Sequence, residues 1–347
     1  MDPSVFFDHI VSHIEKGLPL AVFRMPHSEE VVAYLQSDLT HQTPETLSEG
    51  FLIAPFQSSD AFVAIRNDNI IKTNFTTHGS EKVSLTPQWE GIDVKEQLHI
   101  GLVNNALQAI NQTALNKVVL ATSLKYTHAD QAPLVYFTRI LERYHNTFNF
   151  WFSHPICGTW MGATPELLLS MKGNQLHTMA LAGTRKQGGS EWGQKEIEEQ
   201  SLVLSEIKHT LSNLPSGFSN LTTAKTQTKK AGAVEHILTQ ISAEVYAPPL
   251  EVAKALHPTP AVGGVPKTEA VDFIESQEKF SRSYYSGFLG PFTKGKADWF
   301  VNLRSMRIES EEAEVFVGAG ITADSDPQSE WEELMQKAKT MGSIIGT

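Results

Sequence analysis

The spacing of apolar positions changes several times along this chain, and each change marks a predicted element. In "DPQSEWEELMQKAKTMGSII" (326–345) Trp331, Leu334, Met335, Ala338 and Met341 recur on one helical face, with Glu332, Gln336 and Lys339 opposite. Glu330, Glu333 and Lys337 lie on the border of that stripe, where a side chain can point into a crevice beside whatever the helix covers. "EWGQKEIEEQSLVLSEIKHTL" repeats the pattern: Glu196, Gln200, Val203, Ile207 and Leu211 share a stripe and Glu199 stands beside it. Further helices are predicted over 94–112, around 132–145 and over 233–245 ("AVEHILTQISAEV"). "KVVLATSLKY" (117–126) reads as a strand. "FNFWFS", "TWMGAT", "LLLSM" and "LHTMALAGT" are short apolar runs broken by turn signals, which implies antiparallel sheet. A final meander is expected from "SGFLGPF", "DWFVNLRSMRI" and "AEVFVGAGI". Residues 1–95 combine a short helical start with strand-like runs such as "PLAVFRM" and "FVAIRND", and they show no recognisable chemistry. Strands paired mainly with sequential neighbours, with helices between them, give an α+β class; one large domain over 1–347 is expected.

Composition narrows the partners. Of 347 residues, 41% are hydrophobic and 19% charged, which suits a folded globular chain with a large core. A net charge of −11 argues against a nucleic-acid surface or an anionic membrane as partner, yet a small anionic substrate needs only a few local cations or a metal ion. No apolar run approaches a membrane span and the start carries no basic leader, so no membrane partner is expected. The single cysteine, Cys157, excludes an internal disulfide framework and fits a cytoplasmic location.

Several polar residues fall where the pattern predicts burial. Read as one strand, "ADWFVNLRSMRIE" places Phe300, Asn302, Arg304 and Met306 on one face, and Trp299, Val301, Leu303 and Ser305 on the other. Arg304 is then internal and requires an acceptor, either a structural carboxylate or a ligand. Two helices each offer an E-x-x-E pair, Glu196/Glu199 and Glu330/Glu333. Solvated helix edges explain each pair in isolation. Directed at one space, the carboxylates would repel unless a cation lay between them, and all-oxygen ligation suits Mg²⁺. Glycine-rich turns at "LAGT", "PAVGGVP" and "GAGI" would let backbone approach a ligand.

The blocks "KVVLAT", "GATPELLL", "LAGT", "KEIEEQ", "LHPTPAVGGVPK", "FSRSYYSGFLG", "NLRSMRI", "VGAGI" and "SEWEELMQKAKTM" resemble, in this order, those of the chorismate-utilising enzymes. The resemblance covers about residues 95–345, and within the family it leans toward isochorismate synthases. It implies large antiparallel sheets packed as a sandwich with helices outside, residues 1–95 forming a divergent part and 96–347 the chorismate-binding core. It also implies roles. Glu199 and Glu333 would ligate Mg²⁺, supported by Glu196 and Glu330. Arg304 and Lys337 would bind substrate carboxylate, helped by Tyr285 and the backbone of Gly318 and Gly320. Gly183, Thr184 and His257 would line the ring, Glu166 would be general acid and Lys117 general base.

Three positions bear on the reaction. Amine-transferring relatives carry Gln where Lys117 stands, the aminodeoxychorismate branch carries Lys where Ala182 stands, and Ala261 resembles isochorismate synthases rather than relatives with Thr there. Gln200 departs from the His that many relatives place after the metal-binding Glu, which removes any titrating role at that position. The implied reaction is Mg²⁺-dependent conversion of chorismate to isochorismate, an isomerisation, with the product feeding menaquinone or siderophore biosynthesis. The rival readings are a salicylate synthase that goes on to eliminate pyruvate, a Mg²⁺-dependent phosphate-ester hydrolase, and an inactive binding subunit. The first differs in product, the second lacks a phosphate loop, and the third is disfavoured by the presence of both Lys117 and Glu166.

Overall fold

Local signals set the helix ends. In the computed structural model Asp326 accepts a hydrogen bond from the backbone N–H of Ser329 and Pro327 follows it, so the last helix starts where a capping side chain and a fixed φ favour it. The structure describes residues 1–57, 59–76, 87–127, 132–189, 191–231 and 234–346. Residues 58 and 77–86 of the N-terminal part, and Ala233 at the start of the expected 233–245 helix, lie outside them. The chain begins with α1 (Pro3–Glu15), β1 (Leu20–Arg24), β2 (Glu30–Leu35), β3 (Gly50–Ala54), β4 (Val63–Ile65) and β5 (Asn69–Asn74). It continues with α2 (Ile92–Gln112), β6 (Lys117–Thr127), α3 (Pro133–Arg143), β7 (Phe148–His154) and β8 (Gly158–Thr164). Next come β9 (Leu167–Lys172), β10 (Gln175–Lys186), α4 (Gln194–Ser212), β11 (Phe218–Thr223), β12 (Gln227–Ala231) and β13 (Val234–Val245). After α5 (Pro249–Leu256), β14 (Gly264–Val265) and α6 (Lys267–Gln277), the chain closes with β15 (Phe288–Thr293), β16 (Lys296–Val301), β17 (Ser305–Ile308), β18 (Glu312–Ile321) and α7 (Pro327–Ile345).

The strands form two antiparallel sheets. One runs β14-β6-β18-β17-β8-β7-β1-β2-β5, the other β11-β13-β10-β9-β16-β15-β3-β4, with β12 also paired to β13. N-terminal strands enter both sheets, since β1 pairs with β7 and β3 with β15. The sheets face each other across an aromatic layer that includes Phe23, Phe51, Phe148 and Phe300. The rings of Phe148 and Phe300 stack at 4.2 Å. Helices cover the outer faces: α1, α3 and α7 supply apolar residues to a cluster on the first sheet, and α4 and α5 to one on the second. The fold is therefore the α+β sandwich with helices outside.

Two expectations fail, both through tertiary pairing. Residues 234–245 are strand, not helix. The segment pairs with β10 along its length, and its Val234, Ile237, Thr239, Ile241 and Val245 suit a pleated surface better than the helical stripe suggested. The run from Ala297 to Glu309 is two strands in different sheets. β16 pairs with β9 and β15, while β17 pairs with β8 and β18. The chain crosses between sheets at Asn302–Arg304, where Arg304 takes a left-handed conformation (φ 49°), so one alternating face does not run through it.

Candidate active site

Strand β6 opens with Lys117, whose side chain is wholly buried, and its ammonium lies 2.9 Å from Oε1 of Glu199 on α4. The neighbouring strand β18 is in register, with Gly320 opposite Val119 and Gly318 opposite Ala121. A Cβ at Gly320 would lie 2.8 Å from Oε1 of Glu199 and 3.0 Å from Cε of Lys117, so the absence of a side chain is what lets this ion pair pass beside the strand. In front of the pair is a cavity of about 80 Å³. Glu166, Gly183, Thr184, Glu199 and Ala261 line it, together with Tyr285, Arg304, Gly318, Gly320 and Lys337. Ten of the residues expected at the site thus converge on one space.

Gly183 shapes one wall: at φ +70° it forms the irregularity between Ala182 and Thr184, where the register of β10 against β13 shifts. Glu166 follows β8 and is buried, with Thr259 Oγ1 donating to its Oε1 at 3.5 Å. Burial pushes its carboxyl up to about 7, against the opposing charges of Lys117 and Lys229. It is a carboxylic acid able to hold its proton near neutral pH. Arg304 Nη1 donates to the backbone carbonyl of Lys337, and among the described residues no carboxylate lies within 4.0 Å of its guanidinium. The structural ion pair considered for it is absent among those residues. Burial lowers its pKa, which is the cost of holding this cation in the cavity wall.

Lys337 Nζ contacts Glu333 Oε1 at 2.6 Å and donates to the carbonyl of Gly318 at 2.9 Å. Burial raises the pKa of Glu333, but Lys337, Lys195 and Arg304 outweigh it and leave the carboxylate below its ordinary value. Glu330 is buried and pairs with Lys195 at 2.6 Å; burial and the nearby Glu333 raise its pKa. Lys195 is the common partner: Glu330, Glu333 and Glu199 all raise its pKa, more than burial lowers it. Lys195 thus sits within the field of three carboxylates, and their oxygens are of the type Mg²⁺ takes. Among the described residues, however, no three His, Cys, Asp or Glu side chains stand close enough together to hold a metal ion, because each carboxylate is turned to a lysine. Glu196 is turned elsewhere: a Cβ at Gly193 would clash with its Oε2, so its carboxylate folds back over the start of α4.

His257 does not line this cavity. Its Nε2 lies 3.1 Å from the carbonyl of Phe56, and its ring lines a separate cavity beyond the 257–262 segment. Gln200 is buried and donates to Thr239 Oγ1 at 2.9 Å, which ties α4 to β13. Sequence reasoning missed His236, a buried cavity residue on β13 whose Nδ1 is 3.1 Å from the carbonyl of Gly183 and whose pKa burial lowers to about 3. Recognising 234–245 as strand would have exposed it. It also passed over Lys195, which pairs with Glu330, and Lys229, whose ammonium donates to the carbonyl of Pro165.

Comparison with known proteins locates this architecture. The chain is 35% identical over 264 residues to isochorismate synthase MenF of Pasteurella multocida, covering 70% of this chain and 60% of that protein. It is 32% identical over 261 residues to the vibriobactin-specific isochorismate synthase of Vibrio cholerae, covering 70% and 65%. The chain thus spans less than two thirds of the length of these relatives. Among solved structures, the menaquinone-specific isochorismate synthase MenF of Escherichia coli superposes with a TM-score of 0.79 at 21% identity, covering 94% of this chain and 88% of that one. Anthranilate synthase component I of Streptococcus pneumoniae superposes at 0.68 with 16% identity, covering 93% and 92%, so the fold by itself spans different chemistries. A family description, chorismate binding enzyme, matches residues 54–346 and so begins within the N-terminal part that carries no recognisable block. By that match, which spans β4 to α7 and every residue lining the cavity, this chain belongs to the chorismate binding enzymes.

Proposed function

We propose that the chain is an isochorismate synthase that converts chorismate to isochorismate with Mg²⁺. The observation that carries the reading is the placement of Lys117 and Glu166. One is a buried amine behind Gly320, and the other is a buried carboxyl whose pKa is raised to about 7 beside the same cavity. Addition of water at C2 with loss of the C4 hydroxyl needs a base and an acid. Lys117 would take a proton from water as the new C–O bond forms, and Glu166 would give its proton to the departing hydroxyl as the old one breaks. No oxygen or proton is gained or lost overall. Arg304 and Lys337 supply the cations for a substrate carboxylate, and Tyr285 forms an adjoining wall.

Glu199 and Glu333 would hold Mg²⁺, with Glu330 supporting it, once these carboxylates turn from Lys117, Lys337 and Lys195, and Glu196 would join only after turning away from Gly193. When bound, the ion would neutralise a substrate carboxylate. The relatives' names support water rather than ammonia as nucleophile, in agreement with Lys at position 117. Incubation with chorismate and Mg²⁺ followed by chromatography tests the proposal. Isochorismate is the expected product, whereas no turnover, or release of pyruvate with salicylate, would reject it.

A further inference from the structure

The active-site chemistry leaves the second cavity unused. It encloses about 670 Å³, within the range of small-molecule sites, and shares one segment with the first: His257 and Pro258 line the larger space, Ala261 and Val262 the smaller. Its walls are aromatic. The rings of Phe62 and Phe288 meet edge to face at 6.3 Å, and His257 lies 5.2 Å from Phe288 and 6.1 Å from Phe56. Such walls suit a planar apolar body.

Four charged residues line the same space, and they are not equivalent. Lys254 is exposed and faces Glu45 at 3.3 Å. Asp272 and Glu275 are exposed, where solvent screens them. Lys267 is half-buried and donates to the carbonyl of Ala255 at 2.9 Å, and among the described residues no carboxylate lies within 4.0 Å of its ammonium. Helix α6 starts beside it with no side-chain cap, which adds partial positive charge to the same wall. The deeper charge is therefore positive, with Glu206 acting on it only from beyond ion-pair distance, while the rim carries two acids and one lysine.

We propose that this cavity is a binding site for an aromatic monocarboxylate, its ring system against Phe56, Phe62 and His257 and its carboxylate on Lys267. A dicarboxylate would bring its second charge toward Asp272 and Glu275, so the site selects against such ligands.

The test is titration of the full chain with 2-naphthoate, followed by calorimetry, with every variant first checked by thermal melting. Saturable one-to-one binding is expected. Lys267→Gln should weaken it about tenfold or more, the scale of a lost charge-assisted contact, and Lys267→Arg should retain it. Val271→Trp, which fills the cavity, should abolish it; Arg304→Ala, which damages the first cavity, should not. The neutral 2-naphthamide should bind about tenfold more weakly or worse. Absence of saturable binding, equal binding of the amide, or loss in Arg304→Ala with retention in Lys267→Gln would overturn the proposal. The readout is binding, so it stands whether or not chorismate is the substrate.

Discussion

Replacing Glu166 by Gln should stabilise the protein at pH 8 while disabling it. The carboxyl ionises near its ordinary value of 4.5 in the unfolded chain and near about 7 in the folded one, because burial disfavours its charged form. A folded-state pKa raised in this way contributes stability that is fully present below pH 4.5 and is lost as pH rises through about 7. At pH 8 the native protein keeps an ionised carboxylate in a site that disfavours it, and the gap between the two values corresponds to about 3 kcal/mol. Glutamine is nearly isosteric, keeps an acceptor for Thr259 and carries no charge. Urea denaturation at pH 5 and pH 8 should therefore show the variant gaining on the wild type by up to about 3 kcal/mol between the two conditions. Its turnover should fall about 10²- to 10⁴-fold, the scale for loss of a general acid, and wild-type turnover should decline as pH rises through about 7. A stability difference that is the same at both pH values would refute the raised pKa. Undiminished turnover would remove Glu166 from the chemistry.

Lys117→Gln should lower chorismate turnover about 10²-fold or more. It also leaves Glu199 without its buried partner, so melting should show a loss on the order of 3–5 kcal/mol at most. Supplying ammonia to that variant tests whether the lysine selects water, since ammonia needs no deprotonation there; if the variant keeps full isochorismate formation, the base assignment fails. Glu199→Ala and Glu333→Ala should each abolish Mg²⁺-dependent activity while the protein stays folded, and full activity of either variant in the presence of a chelator would exclude the metal assignment. Arg304→Ala should raise KM by an amount worth roughly 2–5 kcal/mol with little change in melting temperature; an unfolded variant would mean that Arg304 is structural. Gly320→Ala should depress kcat, because its Cβ would fall 2.8 Å from Glu199 Oε1 and displace the Lys117 pair; unchanged kcat would show that this pair is not catalytic.

The sequence made α1 to α4, α7 and most strands legible because their apolar stripes coincide with the faces that become buried, whereas the short helices α5 and α6 were not anticipated. Helix α7 buries Trp331, Leu334, Ala338 and Met341 as its periodicity requires, and α4 buries Val203, Ile207 and Leu211. Segments whose neighbours override local preference were not legible. The 234–245 run has a helical stripe as well as β-branched residues, and only pairing with β10 decides between them. Arg304 looked like one position in a long alternating strand, whereas the chain turns there to change sheets. At the site, residue types were legible and rotamers were not. The resemblance brought Glu199, Glu333 and Lys337 to one region, but it did not reveal that each carboxylate is held by a lysine, that Glu196 is folded back, or that His257 faces another cavity.

The central claim is that water attacks C2 of chorismate as the C4 hydroxyl leaves. Conversion in ¹⁸O-labelled water with Mg²⁺, with product mass measured at low conversion, tests it most directly. The account predicts isochorismate carrying one ¹⁸O atom, with no labelled product from Glu166→Gln at comparable times. Unlabelled isochorismate, or labelled product formed equally well by Lys117→Gln, would contradict it.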